Sequence, residues 1–118
     1  MTIKVMLVFG TRPEAIKMAP LALLLANDLR FDCRICVTGQ HRQMLDQVLE
    51  IFRLEAAFDL GIMRPNQGLC DITSAVLSGM REVFREFLPD IVLVHGDTAT
   101  TLSASLAAYY HRVPIGHV

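Results

Sequence analysis

At 118 residues, with 53% hydrophobic residues and a net charge of −1, the chain suits one domain able to bury roughly two-thirds of its unfolded surface. Lys and Arg are spread along it, which argues against a broad nucleic-acid or anionic-membrane surface, and no apolar run reaches the ~18 residues of a membrane span. The chain enters an apolar strand at once, without the basic, apolar and cleavage segments of a signal peptide, so the expected location is cytoplasmic.

The run Ile3-Lys4-Val5-Met6-Leu7-Val8-Phe9 reads as a strand buried on both faces, ended by a turn at Gly10. Thr11 and Glu14 have capping-box spacing, and Pro13 falls in the first helical turn, where its missing N–H costs little. This strand–turn–helix unit aims free backbone N–H groups and the positive dipole end past the strand tip. Arg12 can grip phosphate with two bonds, and Lys17 adds a cation one turn on, so the expected ligand is an anion, phosphate foremost. A well-capped helix with merely solvated Arg and Lys is the competing reading, and spacing leaves both open. The helix should run to Asn27-Asp28 with a kink at Pro20.

A second strand is expected at 33–38, with an exit turn through Gly39-Gln40-His41 and a helix over 41–52 whose apolar face carries Met44, Leu45, Val48, Leu49, Ile51 and Phe52. Cys33 and Cys36 have C-x-x-C spacing, but residues three apart on a strand point to opposite faces, so both are expected to be buried and structural; Cys70 reads as a free loop thiol. A weak third strand over 58–63 is broken by Asp59 and Gly61. Turn-rich 64–68 precedes a helix over 71–87 with Ile72, Val76, Met80, Val83 and Phe87 on one stripe. Ile91-Val92-Leu93-Val94 is a buried strand ending in His95-Gly96-Asp97-Thr98. The helix over 98–112 is rich in Ala and Ser, which suits close approach to the sheet, another helix or a second subunit, and 113–118 begins a fifth strand.

Strands alternating with helices predict an α/β, doubly wound parallel sheet of Rossmann-like type, with no internal repeat or linker. In the commonest order the first and fourth strands lie side by side, so Gly10-Thr11-Arg12 and His95-Gly96-Asp97 meet at the topological switch point. Asp97 and His95 are candidates for acid–base work there; the competing readings are a helix cap for Asp97 and a packed ring for His95. Gln40-His41-Arg42-Gln43 stands at another strand exit, where a hydrated helix start serves as well. The four His residues lack metal-ligand spacing, and neither G-x-G-x-x-G nor a Walker A loop is present, so no metal or nucleotide cofactor is expected.

Four ordered stretches resemble the non-hydrolysing UDP-N-acetylglucosamine 2-epimerase family: Val8-Phe9-Gly10-Thr11-Arg12-Pro13-Glu14-Ala15-Ile16-Lys17-Met18-Ala19-Pro20, Gln40-His41-Arg42-Gln43-Met44-Leu45-Asp46-Gln47, Pro89-Asp90-Ile91-Val92-Leu93-Val94-His95-Gly96-Asp97-Thr98 and Pro114-Ile115-Gly116-His117-Val118. The resemblance implies reversible conversion of UDP-N-acetylglucosamine to UDP-N-acetylmannosamine for bacterial surface polysaccharides, by UDP elimination and re-addition with inversion at C2 and no redox cofactor. It implies a two-domain GT-B architecture of which residues 1–118 are an incomplete N-terminal Rossmann-like domain, the second domain and a following Glu-Ala-Gly lying outside this chain. By the same likeness Arg12, Lys17 and Asp97 correspond to catalytic residues and Arg12, His95 and Thr98 contact substrate. Gln40, His41 and Gln43 correspond to a regulatory site for UDP-N-acetylglucosamine as allosteric activator. A homodimer is implied for the full-length protein, and no turnover for the segment alone. The alternatives are a GT-B glycosyltransferase domain, which would transfer sugar without C2 inversion, and a non-catalytic nucleotide-sugar-binding fragment.

Overall fold

The computed structural model describes residues 2–39 and 42–118. In chain order the elements are β1 (Ile3–Phe9), α1 (Arg12–Ala26), β2 (Phe31–Val37), α2 (Arg42–Ile51), β3 (Phe58–Asp59), α3 (Leu69–Glu86), β4 (Ile91–Val94), α4 (Ala99–Tyr110) and β5 (Ile115–His117). The five strands form one sheet in the order β3-β2-β1-β4-β5, every neighbouring pair parallel. Strand order reverses direction at β1, which pairs with β2 on one side and β4 on the other.

Side-chain alternation along the strands divides the interior into two layers. Val5, Leu7, Phe9, Ile35 and Val37 face α1 and α2, packing on Ala15, Met18, Ala22, Leu25, Leu45, Val48 and Leu49. Met6, Val8, Cys36, Val92 and Val94 face the other way, onto Val76, Met80, Val83 and Phe84 of α3 and Ala104, Ala107 and Ala108 of α4. Burial on both faces is why β1 is unbroken apolar from Val5 to Phe9 instead of alternating, whereas Ile3 and Lys4 at its start are exposed. The small residues of α4 thus serve the sheet and α3, the first two of the three partners open to them.

Several boundaries differ from expectation. Helix α1 ends at Ala26, just short of Asn27-Asp28; it continues through Pro20 as expected, and since Pro20 sits on the exposed side the Ile16 carbonyl that loses its intrahelical donor lies on the wet face. Strand β2 begins at Phe31, two residues early, because the Asp28–Arg30 turn feeds it directly into pairing with Ile3. β3 is only Phe58–Asp59: the Asp59 carboxylate accepts the Gly61 N–H at 2.9 Å and Gly61 turns to φ +57°, which interrupts the regular ladder, although the Leu60 and Ile62 N–H groups still donate to the Val37 and Thr38 carbonyls. Helix α3 starts at Leu69, since the Gly68 N–H donates to Asp71 at 2.8 Å and draws the first turn forward. Cys33 and Cys36 do face opposite layers, but only Cys36 is buried; Cys33 is half-buried because the first half of β2 is thinly covered.

Candidate functional site at the sheet switch point

Gly10 leaves β1 where three segments crowd together. A Cβ placed on it would stand 2.1 Å from Thr38 Oγ1 at the end of β2 and 2.9 Å from Thr100 Oγ1 in the first turn of α4, so only glycine lets the three approach. Those two hydroxyls are themselves 3.2 Å apart and buried. Beyond Gly10 the chain enters α1 through Thr11, and Arg12 and Pro13 project from its first turn.

The predicted anion-binding turn is built differently from expectation. Glu14 folds back so that its Oε1 accepts the N–H groups of Gly10 at 2.9 Å and Thr11 at 3.1 Å. Those two donors are therefore satisfied internally and are not open to an anion, which leaves the cationic side chain of Arg12 and the first-turn N–H groups that follow to meet one. The carboxylate is buried, 3% exposed, and its other oxygen accepts the Thr98 hydroxyl at 2.7 Å. Thr101 Oγ1 lies 3.3 Å from the same oxygen, although its single proton is better placed for the His95 carbonyl at 2.8 Å.

On the β4 side, Gly96 adopts φ +87°, a conformation glycine takes without strain, and presents Asp97 to solvent. Asp97 is not the helix cap. Thr98 fills that position, accepting the Thr101 N–H, which leaves the Asp97 carboxylate exposed at the loop tip. The His95 ring nitrogen Nδ1 donates to the Val118 carbonyl at 2.6 Å, and His117 Nε2 donates to the Gly96 carbonyl at 2.8 Å. The two rings lie 5.9 Å apart, so the tips of β4 and β5 clasp each other around the loop carrying Asp97.

Thr11, Arg12, Pro13, Met44 and Thr98 line one open cleft of about 360 Å³. The structure thus brings the Arg12 turn and the Asp97–Thr98 loop to one place, with α2 forming a third side. Lys17 lies one turn further along α1 and is exposed; Gln43 is exposed in the first turn of α2, next to Met44. Gln40 and His41 lie outside the described residues. Glu14, Met44 and His117 escaped the sequence reading as site components. Only Glu14 carried a signal, since a capping-box acid facing a second Thr-x-x-Thr helix start has donors on two elements. Among the described residues no group of three or more His, Cys, Asp or Glu is arranged to hold a metal ion.

The family model described as UDP-N-acetylglucosamine 2-epimerase matches residues 24–118. The UDP-N-acetylglucosamine 2-epimerase of Yersinia pestis is 64% identical over 115 residues, and that of Escherichia coli K12 is 60% identical over the same length. In both, the alignment covers 98% of this chain and 31% of the relative, so the chain spans about a third of the length of these relatives. The crystal structure of UDP-GlcNAc 2-epimerase from Neisseria meningitidis bound to UDP-GlcNAc superposes with a TM-score of 0.94 at 54% identity, over 98% of this chain and 31% of that one.

Proposed function

The chain belongs to the UDP-N-acetylglucosamine 2-epimerase family, and from that premise we propose that it supplies one wall of the sugar-nucleotide cleft in a two-domain, GT-B-type enzyme that interconverts UDP-N-acetylglucosamine and UDP-N-acetylmannosamine. In this reading residues 1–118 are the first part of the N-terminal Rossmann-like domain. Because the chain covers 31% of its relatives, turnover requires the length that they have beyond it.

The observation that carries the proposal is the direct pairing of β1 with β4, which sets the Arg12 turn and the Asp97 loop around one cleft. The reaction needs a C2 proton removed while the C1–O bond breaks. The C2–H electron pair becomes the C1=C2 bond of a glycal-like intermediate, and the C1–O pair leaves on UDP. Negative charge then grows on the diphosphate, where the Arg12 guanidinium and the Lys17 ammonium offset it. UDP re-adds at C1 as a proton returns to the opposite face of C2. Asp97, exposed beside the cleft, is assigned to acid–base work or to holding the sugar; His95 and Thr98 complete the substrate wall.

Gln43, with Gln40 and His41, is assigned to a second UDP-N-acetylglucosamine that acts as an activator; the exposure of Gln43 beside cleft-lining Met44 supports the assignment. The large exposed residues Leu102, Tyr109 and Tyr110 on one side of α4 support a homodimer of the full-length protein. A cytoplasmic location accords with a nucleotide-sugar substrate, and no described helix is long and apolar enough to cross a membrane.

The test is proton NMR of UDP-N-acetylglucosamine incubated with the full-length protein in D2O. Deuterium at C2 and the appearance of the manno epimer are expected. Sugar transfer to an acceptor with C2–H retained would place the protein among glycosyltransferases instead.

A further inference from the structure

A buried carboxylate that the mechanism does not use ties the two halves of the site together. Glu14 Oε1 takes the N–H groups of Gly10 and Thr11 on the β1 side, while Oε2 takes the Thr98 hydroxyl on the β4 side. A carboxylate only accepts, so three donors from two separate loops determine its orientation and, reciprocally, the spacing of the loops. Gly96 packs over it: a Cβ there would lie 3.6 Å from Oε2 and 3.7 Å from Glu14 Cγ. Asp97 lies between Gly96, whose open side faces this carboxylate, and Thr98, which donates to it, and Arg12 directly follows Thr11, which donates to the other oxygen.

We propose that Glu14 is a positioning residue that holds the Asp97 loop in register with the Arg12 turn through Thr98, so that acid–base group and anion-binding cation address one substrate. The proposal rests on the epimerase reading for its kinetic half and on geometry alone for the tether. Capping of α1 uses only Oε1, whereas the tether uses Oε2, and the two roles separate chemically. In Glu14→Gln the amide oxygen still accepts from Gly10 and Thr11, but Thr98 loses its charge-assisted acceptor: its hydroxyl has to turn its proton away and accept from the amide NH2 while it already accepts the Thr101 N–H, which leaves a weaker neutral contact.

The experiment compares wild type, Glu14→Gln and Asp97→Asn, with the double variant, in the full-length protein. Hydrogen exchange of the segment 95–101 is followed by mass spectrometry, alongside kcat and KM for UDP-N-acetylglucosamine. Glu14→Gln is expected to raise exchange in 95–101 several-fold while segments in α3 and β2 stay unchanged. It should lower kcat about 10-fold with KM within about 3-fold, and add nothing to the defect of Asp97→Asn, since both act through one group. Unchanged exchange over 95–101 overturns the tether whether or not the wild type turns over. Normal kcat in Glu14→Gln, or a loss that multiplies with that of Asp97→Asn, overturns the positioning role. Wild-type protein without turnover removes the epimerase reading, and the exchange measurement then decides the tether by itself.

Discussion

Gly10→Ala is the sharpest perturbation of the region where strand, turn and neighbouring helix converge. Gly10 is not one of the glycines with positive φ, so alanine meets no backbone penalty and the cost is purely steric. The new methyl would lie 2.1 Å from Thr38 Oγ1 and 2.9 Å from Thr100 Oγ1, against the ~3.5 Å at which non-bonded atoms pack favourably. Both threonines are fully buried and bonded to each other, so neither swings away freely. Overpacking of this kind costs about 3 kcal/mol, a large share of a small domain's stability. Thr38→Ala removes the nearer oxygen, the worse of the two clashes, and leaves Thr100 Oγ1 at 2.9 Å and the Thr38 Cβ at 3.5 Å, an ordinary contact. Alone it costs about 1–2 kcal/mol, because Thr100 loses a buried partner. Together the two changes should therefore cost at least about 1 kcal/mol less than their sum. Urea denaturation followed by far-ultraviolet circular dichroism, with midpoints compared at a common slope, measures all four proteins. Gly10→Ala within about 0.5 kcal/mol of wild type, or strict additivity with Thr38→Ala, would refute the crowding argument.

Arg12→Ala in the full-length protein should weaken UDP binding about 10-fold or more, the scale of a lost charge-assisted contact, and flatten its salt dependence; calorimetry at two ionic strengths checks both, and unchanged affinity removes Arg12 from the site. Asp97→Asn should cut kcat by about 100-fold or more at an unchanged urea midpoint, because the side chain is exposed and the helix cap belongs to Thr98. Burial, with a smaller contribution from Asp59, pushes the Cys36 thiol up to about 12, and burial with the nearby Asp32 pushes Cys33 up to about 11. Iodoacetamide at pH 8 should therefore label exposed Cys70 first and Cys36 only on unfolding, which peptide mass spectrometry resolves. Above pH 9 the unfolded Cys36 ionises while the folded one keeps its proton, so the folded state binds more protons and stability falls as pH rises. The loss should approach about 1.4 kcal/mol per pH unit between roughly pH 9 and 12 and shrink in Cys36→Ala.

The sequence alone determined the layering and the meeting point of the site. Two-sided burial writes an unbroken apolar run into residues 5–9 of β1 and into Ile91–Val94, and helices between strands force parallel crossovers, so β1 and β4 could be placed together before any contact was known. The family likeness was legible because Gly10-Thr11-Arg12-Pro13-Glu14 and His95-Gly96-Asp97-Thr98 are contiguous in the chain. Only the tertiary structure decided how the two tips are joined. Glu14 reads locally as a capping acid, and its bond to Thr98 spans 84 residues; Thr98 in turn displaces Asp97 from the cap and leaves it exposed. Periodicity reports which face of an element is dry, but a side chain with one oxygen for each of two loops reveals its second partner only when both loops have been brought within hydrogen-bond reach.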